Sequence, residues 1–154
     1  MSLVFIFLLF LNSACQQGWI GNGTLCYKSF RSPKTLENAK EECEKWNASL
    51  VKIESREEND FVTQTDKSGD YWIGLSDSDT EDDWKWTDGT QLAQDRYKNW
   101  ADNQPDNYFN KEHCVIILIR TKEFSPELNG KWNDQPCSNE MYFICQSILI
   151  VSKD

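Results

Sequence analysis

The chain has 154 residues, 39% of them hydrophobic and 13% aromatic, which suffices for one compact domain with a real core. Its 25 acidic against 16 basic residues give a formal net charge of -9. That balance excludes a phosphate-tracking nucleic-acid surface, whose affinity comes from Lys and Arg.

Residues 3–11 form an unbroken apolar run, too short to span a bilayer, followed by Asn12, Ser13 and Ala14. It reads as a secretory signal over residues 1–14, although no basic residue precedes it. The expected mature domain covers residues 15–147, with a tail at 148–154. Cys15, Cys26, Cys43, Cys114, Cys137 and Cys145 are even in number, and none forms a C-x-x-C pair. In an exported chain this favours three disulfides over thiolate metal or redox chemistry, with the pairing open at this point. Asn-x-Ser/Thr sequons at Asn22 and Asn47 fit a secreted glycoprotein.

Asn22-Gly23 between the apolar positions of residues 19–30 predicts a hairpin, because both central residues of a type I′ turn need positive φ. Leu36, Ala39, Cys43 and Trp46 recur at helical spacing and predict an amphipathic helix over 35–47, with Cys43 facing the core. Ser55-x-x-Glu58 is a capping box for a second helix from 56 to about 65, with Phe61 and Val62 on its inner edge. Beyond Gly69 the texture changes. Short apolar runs predict strands at 71–75, 115–119 and 142–145, and residues 148–151 read as a further strand added to a sheet edge. The segments 76–113 and 120–131 are polar and irregular, and loops that long in a compact domain are usually functional. Trp84-Lys85-Trp86, ahead of Gly89, reads as core packing.

The chemistry concentrates in two of these late segments. Gln104-Pro105-Asp106, then Glu112 two residues before Cys114, then Asn133-Asp134 three residues before Cys137 supply three carboxylates and two amide carbonyls. Calcium takes about six to eight oxygen ligands, so five protein donors leave coordination positions for a ligand. The stretch starting at Asp77 is not an EF-hand, because Asp82 stands where Gly is required and Asp88 where Glu belongs. Catalysis is not expected. The only histidine, His113, adjoins Cys114, and neither a G-x-S-x-G elbow nor an H-E-x-x-H helix is present.

A cysteine-bearing helix, a second helix, Trp72-Ile73-Gly74-Leu75, a long loop, Gln104-Pro105-Asp106, Cys114, Trp132-Asn133-Asp134, Cys137 and Cys145 follow one another in the order found in C-type lectins. The chain resembles a secreted C-type lectin domain of the long form. The resemblance implies an α+β double-loop fold with two helices and small antiparallel sheets. It also implies the pairings Cys15 with Cys26, Cys43 with Cys145 and Cys114 with Cys137, and a cis Pro105. Its principal calcium site falls on Gln104, Asp106, Glu112, Asn133 and Asp134, with the Asp134 backbone carbonyl as a further ligand. A sugar then binds through Gln104, Asp106, Glu112 and Asn133 around the ion, with the Tyr108 ring stacked on it. The order amide-Pro-acid implies preference for galactose or N-acetylgalactosamine ends of glycans. A second calcium site would use Asp77, Glu81 and Asn107, but His113 stands where an acid is usual, so a strong second site is not expected. Weak single sites would gain avidity from homo-oligomerisation. The alternative is a domain of the same fold that binds a protein, ice or mineral, with calcium structural or absent.

Overall fold

The computed structural model describes residues 13–151. The apolar run at 3–11 lies outside the described residues. Strand β1 is Ser13–Ala14, β2 is Ile20–Asn22 and β3 is Leu25–Lys34. Helix α1 spans Leu36–Lys45, β4 Ser49–Leu50 and α2 Arg56–Val62. Then follow β5 at Gly69–Ser76, β6 at Lys85–Trp86, β7 at Cys114–Ile119 and β8 at Trp132–Gln135. The last two strands are β9 at Met141–Ile148 and β10 at Ile150–Val151.

One mixed sheet organises the domain in the order β2-β3-β9-β5-β7-β8, with β4 beside β9 and β6 beside β5. Among these strand pairs only β5–β9 is parallel, and an isolated parallel bridge links Trp100 to Trp132. All six residues of β7 are buried, as expected of a strand covered on both faces. Side chains alternate across a strand, so Val115, Ile117 and Ile119 enter one core with Tyr71, Ile73, Leu75 and Trp132. Ile116 and Leu118 enter the other with Trp72, Phe143 and the buried face of α1.

The helices form where their caps place them. The Thr35 side chain accepts from the Asn38 amide and Ser55 from the Glu58 amide at 3.1 Å. Glu58 reaches back to the amide of Glu54 at 2.7 Å, one residue before the expected capping-box partner. α1 closes at Lys45, with Asn47 in the left-handed region at φ 53°. α2 is three residues shorter than the capping signal suggested. The Thr63 and Thr65 hydroxyls donate to the Asp60 and Val62 carbonyls and compete with the helical ladder.

Two further local expectations shift. Asn22 pairs with Leu25, so the hairpin turns on Gly23-Thr24, and only Gly23, at φ 60°, is left-handed. Ile148 belongs to β9, while β10 pairs with Ser13–Ala14 in a separate two-stranded ribbon and not with the large sheet. The sequon residues Asn22 and Asn47 are exposed.

The three disulfides join Cys15 to Cys26, Cys43 to Cys145 and Cys114 to Cys137. Cys43 and Cys145 are 102 residues apart, a closure worth about 4–5 kcal/mol in the chain-entropy account. The Cys114–Cys137 bond ties the start of β7 to the loop after β8, the two segments that flank the acidic residues. The Trp84 and Trp86 rings are buried, as expected, and pack edge-on against Trp100 and Trp132 respectively.

Candidate metal centre

β7 and β8 pair in a register that sets Val115 opposite Asp134 and Ile116 opposite Asn133. This brings the Asp134 carboxylate, fully buried, beneath the loop that carries Asp106. Two backbone amides of that loop bind it: Asp106 donates to Oδ1 at 3.2 Å and Asn107 to Oδ2 at 2.7 Å. The Gln104-Pro105 bond is cis. Asp106, Glu112 and Asp134 each offer a carboxylate oxygen within 4.8 Å of the others.

Asn107 is the hub of this arrangement. Its left-handed backbone, φ 44°, suits Asn better than most residues. Its Nδ2 donates to Glu81 Oε1 at 2.6 Å, and its Oδ1 accepts from the Glu112 amide at 3.1 Å. The sequence pointed to Asn107 only as part of a second ion site; its role in fixing Asp134 and Glu112 lies in backbone donors that no side-chain pattern displays.

Burial pushes the Glu112 carboxyl above the usual range, and the nearby Asp134 and Asp106 charges add to this against a hydrogen bond from the Tyr108 amide. Three gathered carboxylates repel one another unless a cation joins them. Among the described residues, three buried side-chain polar atoms lack a hydrogen-bond partner. One is the Trp19 indole nitrogen. The other two are carbonyl oxygens, Gln104 Oε1 and Asn133 Oδ1, belonging to residues two and one positions before Asp106 and Asp134. The residues present therefore fit a hard cation: every donor is oxygen, and two of them are buried acceptors with no hydrogen-bond partner.

Asp77, Glu81 and His113 also converge. His113 Nδ1 lies 3.1 Å from Asp77 Oδ1 and 3.3 Å from Glu81 Oε2, so the imidazole already occupies the space between the two acids. Tyr108 is 62% exposed beside the carboxylate cluster. A groove of about 710 Å³ lies elsewhere, between the start of α1 and β6, and none of the five candidate ligands lines it.

The Lectin C-type domain family matches residues 32–147. The chain belongs to the C-type lectin domain family. Over 131 residues, 84% of the chain, it is 40% identical to the versican core protein of Rattus norvegicus, and it spans about 4% of that relative's length. It is 33% identical to the carbohydrate-recognition domain of the mouse scavenger receptor C-type lectin, with a TM-score of 0.78 over 90% of this chain and 100% of that one. A calcium-independent type II antifreeze protein is 26% identical, with a TM-score of 0.77 over 90% of this chain and 98% of that one. The α+β fold with two helices and all three disulfides agrees with what the resemblance implied, and the antiparallel pairings expected there join into one mixed sheet through the parallel β5–β9 pair. Among the described residues no helix is long and apolar enough to cross a membrane.

Proposed function

We propose that this lectin domain is secreted and binds glycans ending in galactose or N-acetylgalactosamine through a single Ca2+ held by Gln104, Asp106, Glu112, Asn133 and Asp134. The observation that carries the reading is the gathering of the Asp106, Glu112 and Asp134 carboxylates, together with orphaned oxygens, Gln104 Oε1 and Asn133 Oδ1, on the residues two and one positions before two of them. A buried acceptor without a partner costs about 1–3 kcal/mol, and a cation bound by both oxygens would remove that cost. Bound there, calcium supplies open coordination positions for two vicinal hydroxyls of a hexose. The protein's own groups complete the recognition. Carboxylate oxygens accept from the hydroxyl protons, and the amide NH2 groups of Gln104 and Asn133 donate to hydroxyl lone pairs. The exposed Tyr108 ring offers a stacking face.

Galactose preference rests on the amide-Pro-acid order, the galactose-type arrangement in this family. A single ion is proposed because His113 takes the space between Asp77 and Glu81. Secretion is supported by three disulfides, which persist in oxidising compartments. Homo-oligomerisation would supply avidity to a shallow site.

Retention on galactose-agarose, with release by EDTA and by free galactose but not by mannose, is the expected result. The likeness to a calcium-independent antifreeze protein supports one competing reading, a protein or other non-sugar ligand. Ligand binding indifferent to chelator would establish it and overturn the lectin proposal.

A further inference from the structure

The turn after the Gln104-Pro105-Asp106 segment carries two adjacent aromatic rings. Tyr108 is 62% exposed and Phe109 is 74% exposed, and their centroids lie 4.2 Å apart at a tilt of 56°. Phe109 also sits in the left-handed region at φ 55°, ψ 21°, a conformation that is a genuine outlier for a bulky residue. Asn or Gly would fill that position with less strain, and burial gives no reason for an aromatic there. The fold alone gains nothing from this ring.

The same turn is fastened to the candidate cage. The Tyr108 amide donates to Glu112 Oε2 at 3.2 Å and the Asn107 amide to Asp134 Oδ2 at 2.7 Å. Asn110 closes the turn onto the Asn107 carbonyl at 2.7 Å, and Lys111 onto Tyr108 at 3.3 Å. The backbone that carries the ring pair is therefore fastened to the carboxylates. Strained backbone that the surroundings over-determine is a feature of ligand sites.

We propose that Phe109 is a specificity-determining residue that receives an apolar group carried on the bound sugar. Two groups share that chemistry: the acetamido methyl of an N-acetylhexosamine and an apolar aglycone. The proposal rests on the lectin reading above and adds to it a second contact surface beyond the terminal hexose.

The test is calorimetric titration at saturating calcium with methyl galactoside, methyl N-acetylgalactosaminide and phenyl galactoside, on the wild type, Phe109→Asn and Phe109→Tyr. Asn tolerates the left-handed backbone, so Phe109→Asn removes the ring without adding strain. At least one substituted glycoside should bind the wild type about two- to tenfold tighter than methyl galactoside, the range of aromatic contacts. Phe109→Asn should cancel that gain while keeping calcium and methyl galactoside binding, and Phe109→Tyr should preserve it. Loss confined to the N-acetylated sugar assigns the acetamido group; loss confined to the phenyl glycoside assigns the aglycone. A wild type that gains from neither substituent, or a Phe109→Asn variant that binds all three sugars as the wild type does, overturns this proposal alone. A calcium-loaded wild type that binds none of the three overturns the lectin reading and this proposal with it.

Discussion

The Trp132 indole nitrogen donates to Asn59 Oδ1 at 2.8 Å, joining two buried side chains that are 73 residues apart in sequence. Asn59 Nδ2 also donates to the Gly130 carbonyl at 3.1 Å. Helix α2 thus holds the start of the strand that carries Asn133 and Asp134. Asn59→Ala strands the indole N–H, at a cost of about 1–3 kcal/mol. Urea unfolding with the disulfides intact should show a lower midpoint at unchanged m-value. An unchanged midpoint would show that the buried pair contributes nothing net.

Gly130 stands beside the same pair. Its φ is +79°, and an added Cβ would lie 2.6 Å from Asn59 Nδ2. Gly130→Ala should destabilise by about 1–3 kcal/mol through left-handed strain and the clash together. In an Asn59→Ala background the 2.6 Å clash is removed while the strain and a 3.2 Å approach to Thr63 Cγ2 remain, so the increment should shrink. Equal increments in both backgrounds would remove the contact from the explanation.

Asn59 also marks the limit of what the sequence displays. In a helix with Glu57, Glu58 and Asp60 around it, a buried Asn looks like one more solvated polar residue. Its partners lie some 70 residues away, beyond any local pattern. By contrast, Ser55 announces its helix because capping is local chemistry, and the inward face of α1 follows from spacing. The two-residue strands β4 and β6 carry too little pattern to be seen. The carboxylates Asp106, Glu112 and Asp134 stood out by type and position, but the amide network around Asn107 did not. Phe109 did not stand out at all, since left-handed backbone at an aromatic has no sequence signal.

Asp88 supplies an acid-sensitive contact away from the cage. Burial works to raise its carboxyl, but the Thr90 hydroxyl and amide and the Lys52 ammonium outweigh this and hold it at about 2. The unfolded carboxyl titrates near about 3.9, so folding is favoured above that pH and the contribution is lost as pH falls toward about 2. Asp88 is half exposed, so the effect is modest and falls with added salt. In EDTA, Asp88→Asn should lower the urea midpoint at pH 7, and the gap to wild type should close on acidification. A gap that is constant with pH would contradict the assignment.

Sugar selectivity should follow the order of the acid and the amide about Pro105. Gln104→Glu combined with Asp106→Asn keeps three carboxylates and two amides in the set of five and reverses which side of Pro105 each occupies. Calcium uptake should survive, and preference should move from galactose toward mannose. A competition assay against immobilised glycoprotein reads the change. Unaltered selectivity with calcium still bound would detach sugar choice from these two positions.

Calorimetric titration of calcium into the fully oxidised protein tests the central claim most directly. One ion per chain should bind the wild type, and Asp106→Ala should abolish uptake while leaving the three disulfides and the fold intact. A folded, oxidised wild type that takes up no calcium would contradict the account, leaving the orphaned Gln104 and Asn133 oxygens without a cation to satisfy them.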